Sequence, residues 1–66
     1  MDANLIGKRL LELRGDTRRE LVASRCGISL SALGMYEQGR RIPRDEIKRK
    51  LADYYHTTVE SIFFAP

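Results

Sequence analysis

The 66 residues of this chain predict an all-α fold of five short helices. Three observations lead there. Apolar residues recur at three- and four-residue spacing, the period of one helical face, most clearly at Ile47, Leu51, Tyr54 and Tyr55. No segment of adequate length alternates apolar and polar residues as a half-buried strand does. Between the periodic stretches stand Gly, Ser, Thr and Pro, the residues that stop one helix and start the next.

The first helix is expected over Leu5 to Arg14, with Ile6, Leu10 and Leu13 at i, i+4, i+7, Asn4 as its cap and Gly15-Asp16 as its stop. Thr17 or Asp16 is positioned to cap a second helix that carries Val22, Ala23 and Cys26 on one face. Gly27 supplies the positive φ that a helix end favours. Ser29 then caps a third helix with Leu33 and Tyr36 inward, ending at Gly39. Pro43 breaks the chain and helps to start the fourth helix, which bears the stripe from Ile47 to Tyr55. Thr57-Thr58 offer a cap for a short fifth helix through Val59, Ile62 and Phe63.

Several function classes fall away on composition. Nothing reaches the roughly 18 apolar residues of a membrane span, and MDANLIGKRL lacks the apolar stretch of a signal peptide, so a cytoplasmic location is expected. One Cys and one His supply neither an internal disulfide nor a Cys/His zinc set. Cys26 is expected to pack as a small hydrophobe, and His56 to sit in solvent or at a helix dipole. No nucleophile–base pair, carboxylate pair, metal set or phosphate loop can be assembled, so no catalysis, cofactor, metal or small-molecule ligand is expected. Twelve Lys and Arg against nine Asp and Glu give a net charge of +3 and a pI near 9.4. The excess is mild, but Arg18, Arg19, Arg25, Arg40, Arg41 and Arg44 sit in or beside the central segment, which points to a polyanion.

The second and third helices carry the most specific pattern. Ala23 lies four residues before Gly27 and is small enough for two helices to cross closely. Gly27 turns the chain in three or four residues, and Val22, Cys26, Ile28, Leu33 and Tyr36 fill the angle between the helices. Together these form a helix-turn-helix signature.

The stretch from Ile6 to Phe63 resembles the Cro/lambda-repressor-type (XRE family) helix-turn-helix domains. IGKRLLELR is similar to that family's first helix, ELVASRCGIS to its scaffold helix and turn, and SLSALGMYEQGRRIP to its recognition helix and exit loop. LADYYHTTVESIFF is similar to its last two helices. The resemblance implies a single five-helix lambda-repressor-like DNA-binding domain over residues 1–66, with the helix-turn-helix at about 18–38 in helices two and three. It further implies a transcriptional regulator, a repressor, that binds a palindromic double-stranded DNA operator as a homodimer.

Such a helix presents its outward face to base edges in the major groove. Here that face holds Leu30, Ser31, Gly34 and Met35. By resemblance, Arg18 or Arg19 at the start of helix two, Ser29 at the turn, and Arg40, Arg41 and Arg44 after helix three contact phosphates, which position the protein without reading sequence. The resemblance also implies an ion pair between Arg14 and Glu37 that braces helix three. Phe64, beside an inward Phe63, is a candidate dimer contact.

The readout face departs from the family's usual polar residues. Ser31 alone can hydrogen-bond through its side chain, whereas Leu30 and Met35 suit thymine methyls. Gly34 costs about 1 kcal/mol relative to Ala inside a helix, which makes sense if another surface approaches there. The apolar face Leu30/Gly34/Met35 keeps an alternative open: a protein-binding module on the same scaffold, a regulator or antitoxin-like partner binder.

Overall fold

The computed structural model describes all residues, 1–66, as five helical segments without a strand. They are α1 (Ala3–Arg14), α2 (Arg19–Cys26), α3 (Leu30–Glu37), α4 (Asp45–Tyr54) and α5 (Glu60–Phe64). The last is a single π-wound turn, closed by the Ala65 N–H donating to the Glu60 carbonyl at 2.8 Å. Each segment contributes to one core: Ile6 and Leu10 from α1, Val22, Ala23 and Cys26 from α2, Leu33 and Tyr36 from α3. Ile47, Leu51 and Ala52 of α4 and Ile62 and Phe63 of α5 complete it.

The helix ends are closed by local chemistry. At the end of α2, the Ile28 N–H donates to Ala23 and that of Gly27 to Ser24, with Gly27 at φ 67°. The same pair of bonds closes α3, Arg40 to Met35 and Gly39 to Tyr36, and α4, Thr57 to Ala52 and His56 to Asp53. These are Schellman closures, which need a left-handed residue just past the helix. Gly39 provides it for α3 and, in place of a glycine, His56 at φ 57° provides it for α4.

Several sequence-based expectations are corrected. Asp2, not Asn4, caps α1: its carboxylate accepts from the Asn4 and Leu5 N–H groups at 3.0 and 3.2 Å, so the helix starts two residues earlier than Leu5. Leu13 is exposed. The inward face of α1 is instead Ile6, Gly7 and Leu10, because α3 crosses directly over Gly7 and draws that side of the helix under it. Neither Asp16 nor Thr17 caps α2; Arg18 takes the cap position without a side-chain bond. The short connection is held instead by Arg14, whose Nη1 donates to the Thr17 carbonyl at 2.9 Å. The fifth helix, expected to be capped by Thr57-Thr58, has Val59 at its cap position without a side-chain bond and winds as π rather than α; Thr58, just before it, accepts through Oγ1 from the Ser61 N–H at 3.1 Å.

Two cations are absorbed into the packing. Arg9 donates to the carbonyls of Ile62, Ala65 and Pro66 at 2.8–2.9 Å and so ties the chain end to α1. Lys48 is buried, its ammonium 3.4 Å from Asp45 and 5.8 and 5.0 Å from the ring centres of Phe63 and Phe64. An ammonium over an aromatic face is attracted by the ring quadrupole, which lets α4 accept a lysine on its inner side.

The α1–α3 crossing is the tightest in the fold. A Cβ on Gly7 would lie 2.5 Å from the Glu37 carbonyl oxygen and 3.0 Å from that of Tyr36, both backbone atoms that cannot swing away. Gly7→Ala is therefore expected to destabilise the protein by about 1–3 kcal/mol, despite alanine's higher helix propensity. Urea denaturation measures this, and a neutral or stabilising effect would contradict the crossing geometry.

Tyr55 packs against the core with its hydroxyl buried and without a hydrogen-bond partner. Burial, and then the Glu37 carboxylate, push its pKa up to about 12. In the unfolded chain a tyrosine ionises near pH 10, so from about pH 10 to 12 the unfolded state loses its proton while the folded state keeps it. Stability contributed by the neutral ring is thus intact below pH 10 and lost as pH rises through this window, by about 2–3 kcal/mol. Tyr55→Phe should remove that part of the alkaline loss and stabilise the protein by about 1 kcal/mol at neutral pH. Parallel denaturation series of the two proteins at pH 8–12 measure both.

Candidate nucleic-acid interface

The α2–α3 unit owes its shape to Gly27 and Ser29. The first turns the chain, and the second has its Oγ accepting from the Ala32 N–H at 3.0 Å, which starts α3. With Leu33 and Tyr36 buried, the opposite side of α3 faces out. Leu30 is 46% exposed, Ser31 is exposed and Met35 is half-buried. The backbone at Gly34 is covered, but a Cβ there would meet no atom within 4 Å, so the helix carries an open notch between Leu30 and Met35.

These four residues and Gln38 line an open concavity of about 520 Å³, and Arg19 and Arg40 line it with them. A second concavity of about 390 Å³ beside the start of α3 brings Ser29, Arg41 and Arg44 together around Ile28, Ala32 and Ile42. The six candidate phosphate contacts thus do not form one patch. Arg19 and Arg40 share the readout concavity, and Ser29, Arg41 and Arg44 share its neighbour. Arg18 stands at the exposed start of α2, 3.9 Å from Glu20, which is exposed as well. Arg40, Arg41 and Arg44 are exposed and make no ion pair.

Beneath this surface lies a buried carboxylate. Glu37, at the end of α3, has a side chain only 1% exposed, and both of its oxygens are engaged. Oε2 accepts from Arg14 Nε of α1 at 2.6 Å, and Oε1 accepts from Arg19 Nε of α2 at 3.1 Å. The hydrogen bond that Arg14 donates to Glu37 raises the Arg14 pKa further above its ordinary value against the opposing effect of burial, so the guanidinium stays charged. Arg19 is 41% exposed and lines the concavity, and Nε alone of its nitrogens is bonded to Glu37.

The Arg14–Glu37 pair expected by resemblance is present, and Arg19 is a third member that sequence reasoning missed. Nothing local could have signalled it, since Arg19 and Glu37 are 18 residues apart. Gln38 was also missed, although it follows Gly34 by one helical turn on the outward stripe and could have been found from that spacing. Phe64 is 58% exposed, its ring under the Lys48 ammonium and beside a concavity shared with Met1, Leu5 and Pro66. Cys26 is buried, and burial pushes its thiol pKa up, the opposite of what a reactive thiolate needs.

A helix-turn-helix family model matches residues 8–62, which takes in α2, α3 and α4 entire. No curated protein and no solved structure matches the chain.

Glu37→Ala would leave two guanidiniums facing each other with the anion gone. We expect a loss of about 2–4 kcal/mol, and a smaller loss in Arg14→Met/Glu37→Leu, which removes the buried cation along with the anion. Thermal unfolding of both variants measures the order; a double variant less stable than Glu37→Ala would show that the pair contributes net stability rather than geometry.

Proposed function

The chain belongs to the Cro/lambda-repressor-type helix-turn-helix family of DNA-binding regulators, and on that premise we propose a sequence-specific repressor that lays α3 in the major groove of duplex DNA. One observation carries this reading above the others. The outward face of α3 is flanked by arginines that have no acidic partner to satisfy, Arg40 on one side and Arg41 and Arg44 on the other. With its side chains an α-helix such as α3 is about 10–12 Å across, which suits a major groove about 12 Å wide.

In this arrangement Leu30, Ser31, Gly34 and Met35 face base edges. Arg18, Arg19, Ser29, Arg40, Arg41 and Arg44 meet phosphates. The uncapped start of α2 supports the assignment of Arg18 and Arg19, because its first-turn amides have no side-chain acceptor and the helix dipole favours an anion there. Ser29 uses its oxygen to cap α3 and keeps its hydroxyl proton free to donate. The family is one of DNA-binding rather than catalytic domains, and the reading needs no cofactor.

Residues 1–66 act as one domain in this proposal, and two copies serve one operator. The longest extent of the molecule is 28 Å, short of the roughly 34 Å between successive major-groove faces on one side of the duplex. A two-fold pair reads two half-sites, hence a palindromic operator, and the exposed Phe64 supports a dimer contact through α5. No helix is long and apolar enough to cross a membrane, and the proposed site of action is the cytoplasm. The exposure of Leu30 favours a second reading, in which the same face docks a protein partner.

Salt separates the two readings. Arg40→Ala/Arg41→Ala is expected to weaken binding to all duplexes about equally, by tenfold or more, and to flatten the slope of log affinity against log salt by about 2. Fluorescence anisotropy across a salt series measures it. Unchanged affinity and slope would remove these arginines from the interface, and salt-independent binding by the unaltered protein would favour the protein partner.

A further inference from the structure

The outward face of α3 is poor in hydrogen-bonding groups for a surface that reads bases. Ser31 lies in its first turn and Gln38 just past its last, and the rest of the face is Leu30, Gly34 and Met35. A glycine in the interior of an eight-residue helix weakens it, and the other glycines of this molecule are kept either by a positive φ, as at Gly15, Gly27 and Gly39, or by contacts within the chain. A Cβ on Gly7 would strike the backbone of α3, and one on Gly39 would strike Asn4. At Gly34 there is no such contact: nothing lies within 4 Å of the Cβ position, so alanine fits the folded protein freely. The reason for glycine is therefore outside the chain.

Resting on the DNA-binding reading above, we propose that this notch is a socket for the C5-methyl group of one thymine in each half-site, with Leu30 and Met35 as its apolar walls. The chemistry singles out this occupant. In the major groove the thymine methyl is the apolar group a base pair displays, and it projects toward the protein. The socket is apolar along its sides and sits among Arg19 and Arg40, whose charge holds a polyanion against it. A Cβ at residue 34 would stand where the methyl enters, so even alanine displaces the base. Sequence is then read by shape and methyl burial in the middle of α3, with Ser31 and Gln38 left to hydrogen-bond on either side.

The test begins with duplexes enriched from a random pool by the unaltered protein. Each thymine is then replaced singly by uracil, which removes the methyl and keeps base pairing. At one position per half-site the replacement should weaken binding about three- to fivefold, the amount expected for burial of one methyl group. Gly34→Ala should hold or raise Tm by several degrees. It should keep the salt slope, bind the thymine duplex no better than the uracil one, and so lose the discrimination. Uracil at every position without effect would overturn the proposal. So would a Gly34→Ala protein that still discriminates, or one with a lowered Tm, since the glycine would then serve the fold. Absence of any salt-sensitive duplex binding by the unaltered protein would instead remove the DNA-binding reading itself, and the socket with it.

Discussion

Glu37 holds its carboxylate between a guanidinium from α1 and another from α2, at 2.6 and 3.1 Å, in a place that exists only because Gly7 lets α3 meet α1 backbone to backbone. The two features are one constraint. A side chain at position 7 would lift the end of α3 off α1, and the carboxylate could no longer reach both arginines. With Glu37 in place, the last turn of α3 is tied to both preceding helices, while Ser29 and the packing of Leu33 tie its first turn. The direction of α3 is thereby fixed at both ends by groups on its inner side, and its outer side is relieved of structural duty. A buried carboxylate held between two partly exposed cations contributes little net stability, because desolvation opposes the attraction; what it specifies is orientation.

The distribution of charge follows the same division. Net charge of +3 is modest, but the cations are not equivalent. Arg9 is committed to carbonyls at the chain end, Lys48 to Asp45 and two aromatic rings, and Arg14 to Glu37 and Thr17. Glu37 is the one acid among the buried residues and is already shared. Arg18, Arg40, Arg41 and Arg44 are left exposed around α3, and the one ion pair any of them makes is that of Arg18 with Glu20 at a solvated 3.9 Å, where it contributes little. Arg19 belongs to both groups, anchored to Glu37 by Nε and lining the concavity. Unpaired cations placed in two neighbouring concavities beside α3 produce a local potential that the whole-molecule charge understates.

Much of the fold was legible because it is written in local chemistry. The left-handed turn at Gly27, the Ser29 cap, the exit at Gly39 and the inward Leu33 and Tyr36 each depend on residues within one or two turns of one another. The four outward residues of α3 then follow from where Leu33 and Tyr36 point. What escaped the sequence depends on partners distant in the chain. Gly7 reads as a mere defect in an amphipathic helix until α3 is laid over it, and Leu13 reads as core until that crossing turns α1. Lys48 looks solvated until two phenylalanines arrive beneath its ammonium. Arg19 looks like a free cation until α3 brings Glu37 beside it. The cap of α1 was missed for a different reason: Asp2 and Asn4 are both capping types, and only the backbone decides between them.

The glycines show how far internal packing can go in accounting for this sequence. Gly7 and Gly39 are required by atoms of α1 and α3 that a Cβ would strike, and Gly27 by the left-handed turn it makes. Yet the left-handed turn after α4 is made by His56, so a positive φ alone does not compel glycine in this chain. Gly34 has ordinary helical conformation, free space at its Cβ position and a position in mid-helix where alanine would be more stable. Neither backbone geometry nor packing within the molecule accounts for it. Where a residue weakens its own helix and nothing in the fold compensates, the compensation we propose lies in what the helix binds, and the notch opens on a concavity lined by Arg19 and by Arg40, which makes no ion pair.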